Sequence, residues 1–314
     1  MQKASTISLV SSLFISVALV SCGTTSDKPR LATGGISDVH SQSAANLYQK
    51  AENLASARKN SAAIKTYKKV ADDYPLSTQA APARYKQATL LYQNRDLVKS
   101  FDVYQEFIED HKGSSLYSTA IEKQTEVALA AASGKLKNSF LGLKTKIAAA
   151  TSNKMLIKVR DNAPYASTAP KAQFAVGELW QNRGIIDKSI AGYKEVQRRY
   201  PDSGLAPEAI YRVGSLLMQQ INTGDRNKAS IDKARNVFLD LRQKYPNHKR
   251  SKDAKAKLAQ LSSKQVTGSY EIAEYYRERG QTASAIYYYR DVLKKVKSGP
   301  LHNKAKARLA ELGQ

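Results

Sequence analysis

Reactive side chains are few in this sequence. Cysteine occurs once in 314 residues, at Cys22. Ahead of it, Ile7 to Val20 is rich in Leu, Val, Ile, Phe and Ser, and Ser21 separates that run from the thiol. Lys3 is the only charge before residue 27. A membrane-spanning helix needs about 20 apolar residues, so this run is too short to be one. It has the proportions of a signal-peptide core with a small residue at the cut. A lone cysteine makes no internal disulfide, which leaves thiol modification after export, or a buried free thiol, as its chemistry. The four histidines, His40, His111, His248 and His302, are scattered, with no cysteine or carboxylate at metal-ligand spacing. Asp72-Asp73 and the group Glu106, Glu109 and Asp110 pair carboxylates, but at expected helix ends, where they read as solvated. There is no G-x-S-x-G, no phosphate-cradling glycine loop and no EF-hand loop. The reading is a protein without catalytic residues, cofactor site or metal site, and not an enzyme.

Leu19-Val20-Ser21-Cys22 resembles the lipobox of bacterial lipoproteins. That resemblance implies cleavage before Cys22 and a diacylglycerol, with further acylation such as palmitate, on the new N-terminus. Gly23, rather than Asp, follows the cysteine, which by analogy sends the protein to the outer membrane, facing the periplasm. Residues 23–41 are rich in Gly, Ser and Thr and carry little to bury, the composition of a flexible tether. The expected organisation is a signal peptide over 1–21, a tether over 22–41 and one folded domain over 42–314.

The chain is basic. Lys and Arg number 50 against 27 Asp and Glu, a formal charge of +23. Clusters fall at Arg198-Arg199, Arg242 to Lys257, Lys294 to Lys297 and Lys304 to Arg308. In a cytosolic chain this balance points to nucleic acid. An export signal excludes that partner and leaves phospholipid headgroups, cell-wall polymers or acidic protein domains as anionic partners. Lysine-rich helix faces that only keep the fold soluble are the plain alternative.

The elements that must carry these residues are helices. Strand signals are scarce, and long stretches of Ala, Lys, Gln, Glu and Leu recur at helical spacing, so the chain reads as all-α. A repeat runs through it. Ala51, Ala88, Gly177 and Ala273 each precede a second small residue, Ala63, Ser100, Ser189 and Ala285, by twelve positions. Four residues after that comes an aromatic: Tyr67, Tyr104, Tyr193 and Tyr289. Tyr-Pro dipeptides at 74, 200 and 245 close three of the segments, as proline ends a helix. Small residues on facing helices describe antiparallel pairs in close approach.

This register resembles the tetratricopeptide repeat. Repeats fit over 44–77, 81–114, 170–203 and 266–299. A further one starts near Pro207 with Gly214 as its small residue and an insertion around Ile221–Lys228, and a degenerate one lies near 118–166 with an insert that finds no place in the pattern. Pro300–Leu312 reads as a capping helix. The resemblance implies a right-handed solenoid of five to six helix pairs.

The export signal, the tether and the repeats together resemble the BamD-like outer-membrane lipoproteins, subunits of the β-barrel assembly machine. The likeness is carried by LYQKAENLASARKNSAAIKTYKKVADDYPLS in the first repeat and by YEIAEYYRERGQTASAIYYYRDVL in the last. KYPNHKRSKDAKAKLAQL resembles that family's long helix between its last two repeats, with Lys264–Ser269 expected to interrupt it. The resemblance implies a scaffold that binds unfolded outer-membrane proteins and other assembly subunits. A repeat lipoprotein coordinating cell-wall growth, division or pilus assembly is the alternative. An aromatic ladder at the fifth repeat position, Tyr48, Tyr85, Phe174, Tyr211 and Tyr270, is the candidate binding groove, with inter-repeat core as its competing role.

Overall fold

A computed structural model describes residues 38–134, 138–140, 143–223 and 227–314. The signal-like run, Cys22 and most of the tether lie outside the described residues. Helix α1 begins at Asp38, inside the segment read as tether, and carries His40.

Among the described residues, six antiparallel pairs follow one another: α1 Asp38–Ser56 with α2 Asn60–Asp73, α3 Ala80–Gln93 with α4 Leu97–Asp110, α5 Tyr117–Ser133 with α6 Ala149–Asn162, α7 Thr168–Gln181 with α8 Ile186–Arg199, α9 Ala206–Thr223 with α10 Lys228–Lys244, and α11 Lys249–Glu278 with α12 Thr282–Lys295. Helix α13, Pro300–Glu311, caps the array. The fold is an all-α tetratricopeptide-like solenoid. The insert of the third repeat supplies its exception. Residues 138–140 (β1) and 143–145 (β2) pair antiparallel as a short hairpin, which no helical register could have located.

The small residues do what their spacing implies. Ala63, Ser100, Ser189 and Ala285 are fully buried, as are Ala51, Ala88 and Ala273. The twelve-residue interval is itself a contact. Ser100 Oγ donates to Ala88 O and Ser189 Oγ to Gly177 O, each at 2.8 Å, so the second helix of the pair satisfies a carbonyl of the first. A larger residue at either place would force the helices apart. The aromatic four residues on lies across the same junction, and Tyr67, Tyr104, Tyr193 and Tyr289 are among the largest fully buried side chains.

Helix ends follow equally local rules. Tyr74, Tyr200 and Tyr245 close α2, α8 and α10 with nearly the same backbone, and each N–H returns to the carbonyl four residues earlier. The following proline has no N–H with which to continue the ladder. The Tyr245 hydroxyl also donates to Pro201 O at 2.7 Å, tying one such turn to the previous one.

Two expectations about the C-terminal part change. The extra residues around Ile221–Lys228 lengthen the helices on both sides, giving α9 18 residues and α10 17. Lys264–Ser269 does not interrupt the long helix: α11 runs unbroken for 30 residues. Its first half shares a core with α9 and α10 through Ala254 and Leu261. Its second half shares another with α12 and α13 through Val266 and Ala273. Packing at both ends overrides the roughly 1 kcal/mol that Gly268 costs in mid-helix.

Candidate protein-binding surface

The aromatic ladder is half core. Each member sits one helix across from the buried aromatic of its own repeat. Ring centroids lie 5.6 Å apart for Tyr48 and Tyr67, 5.7 Å for Tyr85 and Tyr104, 5.0 Å for Phe174 and Tyr193, 5.9 Å for Tyr211 and Phe238, and 5.7 Å for Tyr270 and Tyr289. The tilted and edge-on geometries are those that aromatic quadrupoles favour. Tyr48, Tyr85, Tyr211 and Tyr270 keep an exposed edge, whereas Phe174 is buried and belongs to the interior.

The first and last repeats hold a carboxylate between two tyrosines. Tyr67 donates to Glu52, and Tyr289 donates to Glu274 at 2.6 Å. Burial, with Glu52 alongside, pushes the Tyr48 hydroxyl up to about 12. Burial works against the Glu274 carboxylate, but hydrogen bonds from Tyr289, Tyr270 and Arg277 outweigh it and hold it down at about 2. These are structural clasps: Lys86 of the second repeat also faces Glu52 at 3.6 Å, and Arg308 of the cap faces Glu274 at 3.2 Å.

The carboxylates read as solvated at helix ends have structural partners too. Arg84, nearly buried, reaches Asp72 at 2.5 Å and Glu106 at 3.3 Å, so it joins the second helices of the first two repeats. Among the described residues, no three His, Cys, Asp or Glu side chains converge as a metal site would need.

The basic run divides by role. Arg250 is committed to Glu208 at 2.5 Å and Asp253 at 2.8 Å and lies 4.4 Å over the Tyr211 ring. Lys244 pairs with Asp240 at 2.9 Å. Lys249, Lys252 and Lys255 are exposed along one side of α11. The second half of α11, with α12, borders a cleft of about 1050 Å³ lined by Ile272, Tyr275, Tyr276 and Tyr288 among others. This surface was not singled out from the sequence.

Comparison with known proteins places these observations. Residues 186–312, from α8 to α13, match the family described as YfiO, outer membrane lipoprotein. Residues 45–77 match the tetratricopeptide repeat and coincide with the first repeat. Part of the chain is similar to a BamD protein. It is 27% identical over 128 residues to the outer membrane protein assembly factor BamD of Caulobacter vibrioides. That alignment covers 37% of this chain and 42% of the Caulobacter protein, less than half of either. Among solved structures, the P58(IPK) TPR domain is 15% identical, with a TM-score of 0.36 over 86% of this chain and 78% of that one. A tetratricopeptide repeat protein of Parabacteroides merdae is 13% identical, with a TM-score of 0.33 over 86% and 88%. The segment that matches the outer membrane lipoprotein family includes the long helix, the last repeat and the cap, and so both the exposed lysines and the aromatic cleft.

Proposed function

We propose that this protein is a lipid-anchored periplasmic scaffold that holds client and partner proteins during assembly of outer-membrane β-barrel proteins. The observation that carries the proposal is the match of residues 186–312 to an outer membrane lipoprotein family. The lipobox-like residues ending at Cys22 supply the anchor in this reading. The partners are unfolded outer-membrane proteins and other assembly subunits, reached through the lipid-tethered solenoid.

The exposed edges of Tyr48 and Tyr85 form the client-facing part, and the exposed lysines of α11 speed docking of acidic partners through long-range attraction. Because both tyrosines also pack on buried rings, replacing them with Ala lowers stability as well as affinity. The separating measurement is therefore made on intact protein. Purification from detergent-solubilised membranes recovers a large β-barrel protein with periplasmic repeats if the reading is right. Recovery of cell-wall enzymes or pilus components instead would overturn it.

A further inference from the structure

In a solenoid each repeat buries the upstream side of its first helix under the second helix of the repeat before it. Here α2 packs on α3, α4 on α5, α6 on α7 and α8 on α9. The seventh repeat position is accordingly buried at Gln87, Gln124, Val176 and Val213. The tenth is buried at Leu90, Val127, Leu179 and Leu216. The same two positions in the last repeat are Ile272 and Tyr275, and they are 42% and 48% exposed.

The cause is α11. Its first half packs on α10 as an ordinary first helix would, but the chain then runs straight on into the last repeat. No turn and no second helix intervene. Among the described residues, the side of the last repeat that a second helix would cover therefore stays open as the aromatic cleft.

The first repeat is open on the same side, because no described repeat precedes it. There the two positions are Lys50 and Asn53, polar as a solvent-facing end requires. At Ile272 and Tyr275 the chain places large apolar side chains instead, and Tyr287 beside them is 68% exposed. Lys228, Lys264 and Lys295 stand around the cleft against Glu271 and Asp291, and Lys295 is bonded to Asp291.

We infer that this cleft receives one amphipathic α-helix of a partner protein, which supplies the second helix that α11 omits. Its apolar face covers Ile272 and Tyr275, and its acidic flank meets Lys228 and Lys264. A helix is the occupant because a helix covers these positions in each of the repeats from the second to the fifth. The inference stands whichever envelope machinery the protein serves.

The test uses the full chain in detergent and a helix-stapled peptide of α4, LVKSFDVYQEFIED. That helix packs on α5 inside this protein, where Gln124 donates to its Gln105 at 2.7 Å, and it carries one lysine against four carboxylates. The comparison variant is Ile272→Lys with Tyr275→Asn, which copies the first repeat. The intact chain should bind the labelled peptide, and the double variant should bind it about tenfold or more weakly, as for loss of interface anchors, with an unchanged melting temperature. Equal binding by both proteins, or no binding by the intact chain, would overturn the inference. So would a large fall in melting temperature, which would make the two residues part of the chain's own core. Loss of a dimer in the double variant would overturn it by making a second copy the occupant.

Discussion

The ring of Tyr193 lies directly over Gly177. A Cβ on that glycine would fall 2.4 Å from the ring's Cδ1, closer than side chains approach. On the other side, a Cβ on Gly192 would meet the Gly177 backbone at 2.8 Å. The two glycines set the crossing of α7 and α8. Gly177→Ala forces a fully buried ring to move and should cost about 1–3 kcal/mol, measured by urea unfolding. Gly192→Ala meets backbone, which cannot turn aside, and should cost at least as much.

The repeat built on α9 and α10 has Phe238 where four others have tyrosine. Tyr104 meets Thr89 at 2.9 Å, and Tyr193 donates to Gln181 at 2.8 Å. Ser215 stands where Thr89 does, and its buried Oγ has no hydrogen-bond partner. Phe238→Tyr should place a hydroxyl within reach and raise stability by about 0.5–1.5 kcal/mol, the net value of one hydrogen bond. A thermal melt of the variant beside the parent reads the sign directly.

Glu274 links α11, α12 and α13, with Arg308 at 3.2 Å and Arg277 at 2.9 Å. Its carboxyl is held at about 2, below the ordinary 4.5. A depressed carboxylate contributes stability above its unfolded value and loses it as pH falls through the folded one. The contribution should fade between about pH 4.5 and pH 2. In denaturant titrations, Glu274→Gln should be less stable than the parent at pH 6, and the gap should close by pH 2. A gap that stays constant with pH would show that the carboxylate's charge is not what stabilises this junction.

The anchor has its own test. Cys22→Ala removes the acylation site, so the protein should leave the membrane on washing or accumulate as precursor. A single acyl chain binds membranes only marginally, whereas a multiply acylated terminus holds firmly, so the contrast should be large. A variant that still sediments with membranes in high salt would contradict the lipoprotein reading.

The sequence by itself determined the repeats, because their signal is local. A small residue, another twelve positions on and an aromatic four beyond it mark where two helices must touch, and Ser100 and Ser189 make that contact with carbonyls at 2.8 Å. The turn at Tyr200-Pro201 is likewise written in two adjacent residues. The double duty of the aromatic ladder was only half legible, since Phe174 and Tyr48 occupy the same repeat position and differ in burial through their neighbours. Tertiary structure alone decided the course of α11. Its middle contains Gly268 and polar residues that weaken a helix taken alone, yet cores at both ends keep it unbroken. That continuity leaves Ile272 and Tyr275 uncovered. Their apolar character is visible in the sequence, beside Lys50 and Asn53 at the matching positions. Their exposure is not, because burial depends on which helix arrives to cover them.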